Sequence, residues 1–336
     1  MTIKVIRPGL LTSIQDLGRY GYQKYGVIVS GGMDAYSLRL ANLLVGNAEN
    51  EAVLEISLSG PALQLEKGTL FSITGGDISP TIHGEPVPMG KPVYLRESGV
   101  LQFGACKSGC RCYFSVAGGI AVAAVMGSKS TYLRAGIGGY KGRALQAGDE
   151  LSVNSPGKKS MQYIDFLIPQ KSVASSAFIT TDWYVGRDHI PGAGDPVKIR
   201  IMLGSQYEQF NEASKARLFQ DAFQVTAQAD RMGYRLAGSI LQLSEPLEMI
   251  SEAVALGTIQ VPPDGNPIIL LADRQTAGGY PKIGQVAAVD VAKVAQIKPG
   301  RKICFSKVSI KEAEELYLAR EEQIYNLSKA IQLKMQ

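Results

Sequence analysis

A chain of 336 residues is long for one hydrophobic core and comfortable for two domains of ordinary size. Hydrophobic residues at 45% and charged residues at 19% exclude a disordered chain. The net charge of +5 comes from scattered lysines and arginines with no basic run, which argues against nucleic acid as a partner.

In chain order, MTIKVIRPG has no apolar signal region, and IKVIRPG reads as a strand entering a turn. DAYSLRLANLLVGN, Asp34 to Asn47, spaces Leu38, Ala41, Leu44 and Val45 for a helix, with Asp34 as its N-cap and Gly46 ending it. From Ala52 to Val153 short apolar runs alternate with turn signals, the rhythm of a barrel or sandwich. The longest uncharged stretch, Cys112 to Ser128, is broken by glycines and short for a membrane span, so a cytoplasmic chain without membrane contact is expected. CKSGCRC holds Cys106, Cys110 and Cys112, the last two on one face of a strand, and Cys304 stands alone. With only His83 and His189 as further partners these read as reduced thiols, and no metal is predicted.

SPGKKS at Ser155 starts a linker region. VKIRIML, Val197 to Leu203, is a strand, and SQYEQFNEASKARLF is a helix with Ser205 and Glu208 as a capping box. Asp230 to Phe305 returns to β. The tail from Lys311 is an amphipathic helix with Leu316, Ile324, Leu327 and Ile331 on one side.

The chain also repeats itself. GRYGYQKYG, Gly18 to Gly26, and DRMGYRLAG, Asp230 to Gly238, share an R-x-G-Y frame. IKVIRPG echoes VKIRIMLG, EAVLEISLSG echoes EAVALGTIQV, and LQAGDEL echoes IKPGRKI, in the same order. The reading is mainly β with a few helices, as two similarly folded lobes. The expected boundaries are 1–155 for the first lobe, 156–196 for the linker region, 197–310 for the second lobe and 311–336 for the terminal helix.

Several chemistries are excluded. There is no G-x-x-x-x-G-K-[ST] loop for ATP, GSKS at Gly127 having the wrong spacing, and no G-x-S-x-G for a serine hydrolase. His83 sits in a turn and reads as a loop residue. What remains is ADRQTAGGYPKIG, Ala272 to Gly284. Arg274 offers a fork for a carboxylate, Gln275 both donates and accepts, and Gly278-Gly279 allow a sharp turn with exposed N–H groups. Gln275, Arg231 and Lys282 are the candidate catalytic residues. Asp230, Arg235, Arg274, Thr276, Gly278, Gly279 and Tyr280 are the candidate substrate contacts. In the first lobe, SIQDLGRYGYQKYGVIVSGGMD offers Gln15, Asp16, Arg19 and Ser30. The blander reading, a buried Arg–Asp pair that shapes the loop, stands beside the functional one for Arg231, Arg235 and Arg274.

TSIQDLGRYGYQKYGVIVSGGMD, RLANLLVGN, VAGGIAVAAVMGSKSTY, QADRMGYRLAG and IQVPPDGNPIILLADRQTAGGYPKIG resemble the signature segments of the biotin-dependent carboxyltransferase family, also called allophanate hydrolase subunit 2. The resemblance runs from about Ile3 to Phe305; SGGMD stands where SGAMD is expected. It implies two cyclophilin-like β-barrel lobes and two kinds of partner chain. These are the B component of 5-oxoprolinase (the Kip inhibitor, of the allophanate hydrolase subunit 1 family) and its A component. Together the chains would open 5-oxoproline to L-glutamate with ATP hydrolysis, ATP being bound with or by the partners. It also implies two alternatives: a regulatory protein that antagonises the Kip-type histidine kinase inhibitor, or a carboxyltransferase acting on a urea-like substrate. The chain has no M-K-M site and no biotin-carboxylase nucleotide loop, which argues against biotin as its cofactor.

Overall fold

The computed structural model describes residues 1–170 and 176–336, so 171–175 of the expected linker region lie outside the described residues. The chain forms two compact units. One comprises Met1–Arg19, Ser30–Ile190 and Gln323–Gln336; the other comprises Tyr20–Val29 and Pro191–Glu322.

The first unit begins with strands β1 (Thr2–Arg7) and β2 (Leu11–Gln15) and helix α1 (Ala35–Leu44). Strands β3 (Val53–Ser57), β4 (Ala62–Leu65), β5 (Leu70–Asp77), β6 (Thr81–Ile82) and β7 (Glu85–Pro86) follow. After them come β8 (Pro92–Leu95), β9 (Gly99–Gln102), β10 (Ser108–Val116), β11 (Glu150–Ser152), helix α2 (Lys158–Leu167) and β12 (Phe178–Thr180). They form two six-stranded sheets, ordered β11-β1-β4-β9-β6-β7 and β12-β8-β5-β10-β3-β2.

The central strands β5 and β10 are buried on both faces, and their sequences show how. Phe71, Ile73, Cys112, Phe114 and Val116 join the core together with Ile3, Val5 and Leu63 from the other sheet. The alternate positions carry small polar side chains that bond helix α1 instead of water. Ser72 Oγ donates to the Ala41 carbonyl at 2.6 Å, Thr74 Oγ1 to the Ser37 carbonyl at 2.7 Å, and Ser115 Oγ to Asn42 Oδ1 at 2.7 Å. Each buried hydroxyl is thereby satisfied. Helix α1 begins as expected, with Asp34 Oδ1 accepting from the Ser37 N–H at 2.9 Å, and Gly46 (φ 75°) follows its last turn.

The second unit contains β13 (Val197–Leu203), α3 (Glu212–Gln220), β14 (Ala222–Val225), β15 (Gly233–Ala237), β16 (Glu252–Ala253) and β17 (Thr258–Gln260). It continues with β18 (Ile268–Leu270), β19 (Ala277–Gly278), β20 (Lys282–Val286), α4 (Ala288–Ala295), β21 (Lys302–Lys307) and the start of α5 (Ile310–Lys334). Strands β13-β20-β17-β18-β15-β14-β21 close into a barrel, and β16 with β19 makes a separate two-stranded ribbon. Ile199, Ile201, Phe223, Leu236, Ile259, Ile269 and Ile303 are fully buried.

The molecule is mainly β, as the short-strand rhythm implies; among the described residues the second unit closes as a barrel and the first is built of two six-stranded sheets. The capping box at Ser205 and Glu208 is absent. Residues Tyr207–Gln209 form a 3-10 turn, Phe210 is extended, and α3 starts later with Asn211 accepting from the Ser214 N–H at 2.8 Å. Among the described residues no helix is long and apolar enough to cross a membrane.

Candidate functional site

DRMGYRLAG and LLADRQTAGGY are neighbours in the second unit because β15 pairs with β18, Gly233 opposite Leu270. The pairing runs on beyond the strands: the Leu271 N–H donates to the Met232 carbonyl at 2.9 Å and the Asp273 N–H to the Arg231 carbonyl at 2.8 Å. That register sets Arg231 beside Asp273. Arg231 Nε and Nη2 donate to the two Asp273 oxygens at 2.9 and 3.0 Å, with both side chains buried. Asp230 Oδ1 accepts from the N–H groups of Met232 (2.8 Å) and Gly233 (3.1 Å), so it closes the turn that starts the strand. Arg235 lies on the exposed side of β15.

Arg274 follows Asp273 directly and has a different environment. Among the described residues its one bond, a weak one, runs from Nη1 to the Leu271 carbonyl at 3.4 Å, and its buried Nε has no partner. Burial pushes its guanidinium below the usual range, with Tyr20 acting the other way. A half-buried cation without an anion is a costly arrangement, relieved when a carboxylate or phosphate binds. The half-buried Gln275 and Thr276 come next on the same loop, and neither side chain has a hydrogen-bond partner among the described residues.

The glycine pair is not the sharp turn the sequence suggests. Gly278 ends strand β19, pairing with Glu252, and neither glycine takes a positive φ. Gly278 is instead a place of close approach. A Cβ there would stand 2.6 Å from Nε2 of the buried Gln260 and 3.2 Å from Nε2 of Gln275. Lys282 Nζ is taken up by Glu252 at 2.5 Å, and this holds the Glu252 carboxyl below its usual range. Gly279 and Tyr280 line an apolar groove of about 570 Å³ with Phe210, Leu243, Leu247 and Pro262.

The first-unit candidates are mostly committed to the fold. Asp16 Oδ1 accepts from the Gly18 N–H (2.9 Å), Ser128 Oγ (2.6 Å) and Ser130 Oγ (2.5 Å), and Oδ2 from the Lys129 N–H (2.6 Å). Arg19, fully buried, donates to the carbonyls of Val125 (2.8 Å) and Ser130 (3.0 Å). Gln15 Nε2 donates to Ser13 Oγ (3.0 Å) and the Thr131 carbonyl (3.2 Å), while its Oε1 is buried and unpartnered. Ser30 is buried in the left-handed region at φ 57°, and its Oγ also has no partner.

Sequence reasoning missed the groups that hold these candidates in place. Ser128 and Ser130 of GSKS, a segment without phosphate-loop spacing, are the hydroxyls that saturate Asp16. It also missed a buried chain around Asp34. Ser37 Oγ lies 2.6 Å from Asp34 Oδ2 and 2.8 Å from His189 Nε2, and Tyr113 Oη donates to Glu55 Oε2 at 2.8 Å. Sequence separations of 152 and 58 residues hid these contacts. The four cysteines are unbridged, and burial pushes the Cys112 thiol well up. Among the described residues no cluster of three or more His, Cys, Asp or Glu side chains is placed to hold a metal ion.

The barrel and its loops define the class: the chain belongs to the carboxyltransferase domain family, subdomain A and B, matched over residues 25–307. It is 37% identical to the 5-oxoprolinase C subunit of Haemophilus influenzae over 315 residues, covering 93% of each chain. It is 35% identical to the 5-oxoprolinase C subunit of Escherichia coli, again over 93% of each. Of solved structures, the urea amidolyase of K. lactis matches with a TM-score of 0.84 and 31% identity over 97% of this chain, but only 20% of that larger one.

Proposed function

We propose that this chain is a non-autonomous subunit of an ATP-dependent 5-oxoprolinase, which opens 5-oxoproline to L-glutamate together with the A and B components as partner chains. Two relatives named as the C subunit of 5-oxoprolinase, each aligned over 93% of both chains, support the reading. The observation that carries it is Arg274, a half-buried guanidinium with no anion partner among the described residues, at the head of a loop bearing Gln275 and Thr276. Arg274 takes the substrate carboxylate in a charge-assisted hydrogen bond. Gln275 donates to the lactam carbonyl oxygen, where negative charge grows as water attacks the carbonyl carbon, and accepts from the lactam N–H; the C–N bond then breaks and the leaving nitrogen takes up a proton from the attacking water. The Thr276 hydroxyl assists at the same oxygen. Arg231 and Lys282, engaged by Asp273 and Glu252, hold the loop in place rather than touching substrate. A lactam is a stable amide, so on this reading ATP drives the opening, and ATP is taken to be bound with or by the partner chains, this sequence carrying no G-x-x-x-x-G-K-[ST] loop. The sequence offers no M-K-M lysine for biotin, and the reading routes no step through it.

The test is glutamate release from 5-oxoproline and ATP by the three purified chains and each drop-out mixture. Activity should vanish when this chain is omitted and return when it is added. Arg274→Gln should lower kcat/KM of the full mixture roughly ten- to hundredfold, the range of a lost charge-assisted bond. Equal activity without this chain would leave it a regulatory partner only.

A further inference from the structure

The first unit has a cavity of about 330 Å³ whose wall includes Asp77, Ser79, Thr81, Met89, Lys107 and Arg187. Its charges are of both signs. Arg187 Nη1 reaches only the Met89 thioether, a weak acceptor, at 3.5 Å. No ion pair engages Arg187 or Lys107 among the described residues. Asp77 uses Oδ1 to accept from the Ser79 N–H at 2.8 Å, which leaves Oδ2 for another donor. The backbone around these groups is fixed. The Lys107 N–H donates to the Asp77 carbonyl at 2.7 Å, and the Val185 N–H, two residues before Arg187, donates to the Gly90 carbonyl at 2.8 Å. A Cβ at Gly90 would meet the Val185 carbonyl at 2.5 Å, so that strap lies flat against the wall.

We propose that this cavity is a binding site for a free α-amino acid, its carboxylate on Arg187 and Lys107 and its ammonium on Asp77. Two cations facing one carboxylate suit a zwitterion better than a dianion, which Asp77 would repel. The hydroxyls of Ser79 and Thr81 adapt to either end, and Met89 gives the side chain an apolar surface. The volume suits a ligand of amino-acid size. All of these residues lie in the first unit, whereas Arg274 lies in the second, so the site stands independently of the proposed lactam site.

The experiment is calorimetric titration of the full chain with L-alanine, L-serine and L-methionine, each beside its analogue lacking the amino group. At least one amino acid should saturate a single site, with its analogue at least tenfold weaker. Arg187→Gln should weaken that binding at least tenfold and Lys107→Gln severalfold, while Asp77→Asn should remove the preference over the analogue. Arg274→Gln should leave the titration unchanged. No saturable binding by any of the three overturns the proposal, as does binding indifferent to Arg187→Gln or abolished by Arg274→Gln. Glutamate release is read separately, so its failure would count against the proposed function alone.

Discussion

At Arg231 and Arg274 the same side chain serves two ends, and the difference lies in what stands opposite. Arg231 meets the buried carboxylate of Asp273 in a bidentate pair, 42 positions away in sequence. Removing one partner of such a pair leaves the other charge desolvated, a loss of about 3–5 kcal/mol. Arg231→Ala should therefore lower the unfolding free energy read from urea denaturation by that amount, whereas Arg235→Gln on the exposed face should change stability by less than about 0.5 kcal/mol. If the midpoint of Arg231→Ala stays at the wild-type value, the pair does not hold the loop. Composition of the two segments could offer both readings but could not choose between them. The choice depends on the register of β15 against β18, which local sequence does not specify.

Helix α1 shows how far local signals reach. Its cap and its end were legible because capping needs only a few neighbouring residues. The remaining partners of Asp34 come from elsewhere. Burial raises the Asp34 carboxyl, but His189 and the Ser37 hydrogen bonds outweigh it and hold the group below the usual carboxylate range. A carboxyl with a depressed folded value adds stability above its unfolded value, near pH 4, and loses it as pH falls through the folded value. Wild-type melting temperature should accordingly fall below about pH 4, and Asp34→Asn should start lower and lose less over that range. Parallel slopes for the two proteins between about pH 5 and 3 would contradict this. Further along, the expected box at Ser205 failed because Glu208 pairs with Lys215 at 2.7 Å and Phe210 interrupts the helix before Asn211 restarts it. The R-x-G-Y frame likewise adopts two backbones: Gly21 has φ 91°, while Gly233 lies in strand β15.

On the scale of the whole molecule, the terminal helix serves the cores of both units. Ala313 lies with Ala287 and Val289, whereas Ile324, Ile331 and Met335 lie with Leu40, Leu44 and Leu167. Ile324 is 1% exposed, and Ile324→Ala should lose about 2–5 kcal/mol by leaving a cavity. Leu318→Ala, at a site 59% exposed, should stay within about 0.5 kcal/mol. Urea denaturation of both variants decides it, and equal midpoints would refute the packing. The echoes between the lobes also find different uses. Strand β1 pairs antiparallel with β11, but its echo β13 pairs parallel with β21, while Gly148 and Gly300 both take positive φ just before β11 and β21.

The sequence by itself determined the β-rich character, the α1 cap, the terminal helix and the segments that carry polar groups worth examining. Each of these rests on periodicity or on contacts a few residues apart. Tertiary structure alone decided which charges are spent. Arg231, Asp16 and Lys282 are paired or saturated, and Arg274 and Arg187 lack an anion among the described residues, because hydrogen bonds across long sequence separations follow from strand register. A residue's type states what it can bond, and only the folded chain states what lies within about 3 Å of it.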